Sequence, residues 1–151
     1  MISQNFKKIF LLWGPVVLWC GVIFTLSSIP TLPKVGFIWW DFVMKKSAHI
    51  IEYGILYFLL WRAVTRANFQ FSIFSASWRI QSIFNFKISN NTKKINKIYW
   101  LIPLFLGLLY AISDEYHQSF VIGRTSKVRD VGFDLLGMLI MLYWLKKKVK
   151  N

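Results

Sequence analysis

The stretch from Ile9 to Ser27 carries no charged residue over 19 positions, close to the roughly 20 that a helix needs to cross about 30 Å of hydrocarbon. Such a run leaves few folds open, because in lipid each backbone N–H and C=O must be satisfied inside the segment, which a helix does. Pro15 is tolerable there, since neighbouring helices or water satisfy the group a proline leaves free. The rival reading is a cleaved signal peptide with Lys7 and Lys8 as its basic start. The run is longer than the usual core of about 7–15 residues, however, and has no A-x-A-like cleavage site. At 56% hydrophobic, only 17% charged and a mean hydropathy of +0.46, the chain is too apolar for an ordinary soluble domain. It reads as one small membrane domain over residues 1–151, without internal repeats.

Three further apolar segments follow: Ser47 to Val64, interrupted by His49, Glu52 and Arg62; Tyr99 to Ser113; and Val131 to Leu145. Each reaches spanning length only by taking in its polar end. The expectation is an all-α integral membrane four-helix bundle with helices at about 9–27, 47–64, 99–118 and 130–145, and a basic loop over 65–98. A soluble protein with buried helices is the competing account, and the uncharged first segment argues against it.

Charge orients the segments. All six acids and both histidines fall in two windows: Asp41, His49 and Glu52, then Asp114, Glu115, His117, Asp130 and Asp134. Outside them, Lys7, Lys8, Arg62, Arg66, Arg79, Lys87, Lys93, Lys94, Lys97, Lys146, Lys147, Lys148 and Lys150 meet no acid. Lys34, Lys45, Lys46, Arg124, Lys127 and Arg129 balance the six carboxylates, so the net charge of +13 belongs to one side. By the positive-inside bias that side is cytoplasmic. A multi-pass protein of the cell membrane results, with both termini and the 65–98 loop inside and the acid windows facing out.

The acids also share a depth. At 1.5 Å per residue Glu52 lies about 15 Å from Arg62, Asp134 about 18 Å from Lys146 and Asp114 about 25 Å from Lys97, all in the outer half. Helical spacing gathers them on faces: His49, Glu52, Tyr53 and Leu56 follow i, i+3, i+4, i+7, while Asp114 and Gln118, and Asp130 and Asp134, are four apart. Gly137 continues the last stripe, where a missing side chain lets another helix approach. Intramembrane acids normally face a bundle interior or wet cavity and point to function.

Two blocks carry a resemblance. K-x-x-H-x-x-E-Y-x-x-L is formed by Lys46, His49, Glu52, Tyr53 and Leu56. S-D-E-x-x-Q-x-F-x-x-G-R is formed by Ser113, Asp114, Glu115, Gln118, Phe120, Gly123 and Arg124, and is followed by D-x-x-x-D-x-x-G at Asp130, Asp134 and Gly137. In these residues the chain resembles the VanZ-like family, small multi-spanning bacterial membrane proteins named for a determinant of low-level teicoplanin resistance. The resemblance implies a membrane helix bundle and a link to glycopeptide resistance. Three departures are that Ile122 stands where members often have Pro before Gly-Arg, that the Asn members often carry near Asp134 is missing, and that Thr65 to Asn96 expands a loop that is commonly shorter.

Several chemistries fit the polar set. His49, Glu52, Asp114 and Glu115 can furnish an acid/base pair, with Ser113 as a candidate nucleophile, but no G-x-S-x-G, P-loop or H-E-x-x-H pattern accompanies them. No two histidines fall at ligand spacing on one helix, and Cys20 is the only cysteine, so neither a metal nor another cofactor is expected. Arg124 can grip a phosphate or carboxylate bidentately, or simply neutralise Asp114 or Asp130. The bland alternative for the cluster is an ion-paired plug fixing helix packing. The 65–96 stretch, with Phe69, Phe71, Phe74, Trp78, Phe84 and Phe86 among its cations, suits an anionic leaflet and carries no nucleic-acid recognition motif. The expected function is binding of a cell-envelope amphiphile, a lipid-linked precursor or a glycopeptide at an outward polar site, in a protein partnered by membrane lipids. An intramembrane enzyme on envelope lipids and an ion-coupled protein are the alternatives.

Overall fold

The computed structural model describes residues 2–30, 38–66, 97–124 and 127–150. Among them the fold is all-α: α1 (Ile2–Ser27), α2 (Ile38–Arg66), α3 (Ile98–Gln118) and α4 (Val128–Lys150). The aromatic and basic side chains of 67–96, and Lys34, lie outside the described residues.

The helices are longer than the apolar runs that announce them. Ile9–Ser27 and Ile98–Gln118 are long and apolar enough to cross a membrane. All four helices exceed their apolar runs: α1 begins at Ile2 rather than Ile9, α2 at Ile38 rather than Ser47, α3 continues to Gln118, and α4 runs from Val128 to Lys150. Hydrophobicity marks what a helix can bury, whereas the backbone ladder continues through lysines and arginines, which are good helix formers.

The four helices run alternately up and down. At one end Arg62 Nη2 donates to the Leu11 carbonyl at 2.9 Å, Trp61 stacks on Trp100 with centroids 5.5 Å apart, and Lys146 lies over the Trp100 ring. The start of α1, the finish of α2, the start of α3 and the finish of α4 therefore share one end of the bundle, and the acid windows share the other. Helix α2 packs against all three partners, whereas α1 reaches α2 and α3 but, among the described residues, not α4.

The centre holds Ile23, Leu56, Tyr57, Leu60, Ala111 and Met138. Helices α2 and α4 cross closely at Gly54 and Gly137, as the small residue at 137 predicts: a Cβ on Gly137 would run into the Ile50 carbonyl, and one on Gly54 would sit 3.4 Å from the Gly137 carbonyl. The outside is apolar instead. Phe10, Leu11, Val17 and Leu18 on α1, Leu101, Phe105, Leu109 and Ile112 on α3, and Leu136 and Ile140 on α4 are all exposed. Apolar surface on this scale marks a face that meets something other than water.

Candidate functional site

The site lies where α1 and α3 end and α2 and α4 begin. On α3, the four-residue spacing of Asp114 and Gln118 puts both on the buried face. Asp114 Oδ2 accepts from Gln118 Nε2 at 2.8 Å and from Ser27 Oγ at 2.9 Å, and Gln118 Nε2 also reaches Ser27 Oγ at 3.2 Å. The last residue of α1 is thereby tied into the polar face of α3.

Arg124 closes this corner. The chain leaves α3 through Gly123, whose φ of 78° is the left-handed conformation that favours glycine, and turns Arg124 back over α1. Its Nη2 donates to the Leu26 carbonyl at 2.8 Å, its Nε to the Ile29 carbonyl at 3.2 Å and its Nη1 to Gln118 Oε1 at 3.1 Å. Carbonyls at a helix C-terminus have no partner within the helix and carry partial negative charge, which explains a guanidinium there. Sequence alone leaves Arg124 either as an anion ligand or as the neutraliser of Asp114 or Asp130; its observed hydrogen bonds run to α1 and Gln118 instead.

Helices α2 and α4 are joined by two polar rungs. Lys46 Nζ meets Asp130 Oδ1 at 2.8 Å and lies over the Phe42 and Phe133 rings, 5.9 and 5.3 Å from their centroids. One turn deeper, His49 Nδ1 meets Asp134 Oδ1 at 2.9 Å. Asp134 is fully buried, and an acid there is tolerable because the imidazole partners it. The i, i+3 spacing on α2 and i, i+4 on α4 place both rungs in register.

Below the rungs Tyr53, also fully buried, lies parallel to the His49 ring at 6.4 Å between centroids and tilted against Tyr110. Tyr53 Oη, Asp114 Oδ1 and Asp134 Oδ2 are buried and, among the described residues, accept or donate no hydrogen bond. Glu52 is half-buried. Its backbone carbonyl accepts from Trp19 Nε1 at 3.0 Å, while among the described residues no hydrogen bond or ion pair engages its carboxylate.

Above this layer opens a cavity of about 550 Å³ with Ser27, His49, Glu52, Gln118, Arg124 and Asp130 in its walls. Lys45, Lys127 and Arg129 also line it, are exposed, and have no carboxylate within ion-pair distance among the described residues. Neutral and anionic groups thus sit deep, and unengaged cations sit at the rim.

Of the side chains singled out in sequence, His49, Glu52, Tyr53, Asp114, Gln118, Arg124, Asp130 and Asp134 gather at the cavity or directly beneath it. Glu115 is set to one side, its Oε2 accepting the Lys127 backbone N–H at 3.2 Å where α4 starts. Ser113 is not brought in: it is exposed and its Oγ donates back to the Tyr110 carbonyl at 2.7 Å. His117 is also apart, stacked on Phe24 and 3.0 Å from Ser28 Oγ. Ser27 is the residue that sequence reasoning missed, because a serine closing an apolar run has no spacing signal of its own.

Compared with known families, residues 12–147 match the family model described as VanZ/LLP1. No curated protein and no solved structure matches the chain.

Proposed function

We infer from membership of the VanZ/LLP1 family, to which this chain belongs, and from the layout of the cavity, that the protein binds the anionic head of an envelope amphiphile. It is a multi-pass protein of the cell membrane with its termini in the cytoplasm and the cavity opening outward. The apolar exteriors of α1 and α3 support insertion, and the helix ends that carry Arg62, Lys97 and Lys146 through Lys148 lie together, in accord with the positive-inside bias. Surrounding lipids are its immediate partners. A lipid-linked precursor or a lipid-bearing glycopeptide is its ligand, and through that ligand it contributes to teicoplanin resistance.

The observation that carries this reading is the cation rim above the cavity. Lys45, Lys127 and Arg129 are free to meet a phosphate or carboxylate, and Arg forms bidentate bonds with either. Arg124 shapes the cavity by fixing the end of α1 and the amide of Gln118, and does not itself serve as the main anion contact. The test is binding of a polyprenyl pyrophosphate-linked precursor to the full chain in lipid nanodiscs. The double variant Lys127→Ala, Arg129→Ala should bind at least about tenfold more weakly, and wild-type affinity from that variant would reject the site.

A second reading is favoured by Glu52, whose unengaged carboxylate lines the cavity: an acid/base enzyme acting on the same lipids. Mass spectrometry of the bound lipid separates the two. A binder returns it unchanged, and an enzyme alters its mass.

A further inference from the structure

We propose that Tyr53 Oη, Asp114 Oδ1 and Asp134 Oδ2 form a binding site for a monovalent alkali cation, one layer beneath the amphiphile cavity. The proposal goes beyond the amphiphile reading and does not depend on it.

The three oxygens come from α2, α3 and α4, and each belongs to a side chain at most 3% exposed. None has a hydrogen-bond partner among the described residues, although buried polar atoms in folded proteins nearly always have one. They belong to one layer: Tyr53 neighbours His49, which holds Asp134 at 2.9 Å, and Tyr110, one helical turn from Asp114 on α3, and both carboxyls act electrostatically on the Tyr53 hydroxyl. The ring of Tyr53 is held between His49 and Tyr110, which fixes where its hydroxyl sits.

Charge selects the ligand. Asp134 is partnered by His49 through its other oxygen. Asp114 is held only by neutral donors, Ser27 and Gln118, both on Oδ2. One buried carboxyl therefore has no cationic side chain in contact among the described residues, and an uncompensated charge at such a place would be costly. A single positive charge balances it. Oxygen-only donors suit a hard cation rather than a soft one. A divalent ion would bring one charge more than Asp114 balances, since Asp134 is already partnered by His49. Glu52, the residue before Tyr53, lines the cavity and offers an incoming cation an acidic group there. Intramembrane acids with such an arrangement mark ion sites in other helical proteins.

The experiment is thermal unfolding of the full chain in detergent, without amphiphile, in NaCl, KCl or N-methylglucamine chloride at constant ionic strength. Sodium or potassium should raise the midpoint by at least about 2 °C in a saturable way. Tyr53→Phe, which keeps the ring and removes one ligand oxygen, should lose most of that increment, and Asp114→Asn all of it. Equal midpoints in all three salts would overturn the proposal, as would a full alkali-cation increment in Tyr53→Phe or a response confined to added MgCl₂. Since no lipid ligand is present, this outcome is independent of precursor binding, and loss of binding in the Lys127, Arg129 variant leaves the cation response intact.

Discussion

At the end of the bundle where α2 finishes, polar side chains terminate on backbone. Tyr57 Oη donates to the Trp100 carbonyl at 3.1 Å and Arg62 to that of Leu11, while Lys146 and Lys148 rest over tryptophan rings. At the end where α2 begins, side chains bond side chains across helices: Ser27 to Asp114, Gln118 to Asp114, Arg124 to Gln118, His49 to Asp134 and Lys46 to Asp130. The first arrangement turns its polar side chains to backbone carbonyls and ring faces, leaves no carboxylate buried, and has Trp61 Nε1 and Arg62 Nε as its groups without a hydrogen bond among the described residues. The second leaves the Glu52 carboxylate, Tyr53 Oη and one oxygen each of Asp114 and Asp134 without a hydrogen bond among the described residues. Polar groups in membrane bundles contribute only about 0.6 kcal/mol per interhelical bond on average, so adhesion alone does not account for burying so many acids at one end.

The largest way to break this contrast is to force the helices apart between the two ends. Gly137→Leu drives a side chain into the Ile50 carbonyl, a backbone atom that cannot rotate away. Overpacking of that kind costs about 3 kcal/mol or more. The expected result is loss of monodisperse protein on size exclusion; a variant that purifies with a wild-type midpoint would mean that α2 and α4 do not approach there.

The next largest effect lies at the acid end. Asp134→Ala strands His49 inside the bundle, where breaking a buried pair by removing one partner costs about 3 kcal/mol. Lys148→Ala at the opposite end removes an exposed cation–π contact of about 0.5 kcal/mol. Denaturant unfolding in detergent should separate the two variants clearly, and equal midpoints would place the acid end on the same footing as the surface.

Much of this contrast is readable in the chain before any folding. The uncharged Ile9–Ser27 run announces α1, and the i, i+3 and i, i+4 spacings put His49, Glu52 and Tyr53, Asp114 and Gln118, and Asp130 and Asp134 on shared faces. The start of α2 at Ile38 is not readable from hydropathy, because Lys45 and Lys46 belong to the helix but not to any apolar run. Lys46 is explained only by Asp130, which reaches it from another helix. Ser27 finds Asp114 from 87 positions away, and nothing periodic connects them. Arg124 is ambiguous in sequence for a related reason: its acceptors are mostly main-chain carbonyls, which every residue has and no motif displays. Ser113 misleads because membership of a motif says nothing about which face a side chain occupies, and one step along a helix from Asp114 turns it about 100° outward.

The smallest effects test the contrast most sharply, because two tyrosines one helical turn apart on α2 are both fully buried and differ chiefly in what their hydroxyls meet. Removing the Tyr57 hydroxyl deletes a bond to the Trp100 carbonyl and should cost about 1 kcal/mol. Removing the Tyr53 hydroxyl deletes a buried polar atom with no hydrogen-bond partner among the described residues, so in buffer free of alkali cations Tyr53→Phe should be neutral or stabilising by up to about 1 kcal/mol. Opposite signs from the same chemical change would identify Tyr53 as a residue that gives up stability for a task, as functional sites do, and Tyr57 as one that only holds helices together. If both variants lose stability equally, the Tyr53 hydroxyl has a structural partner and the two ends of the bundle are built alike.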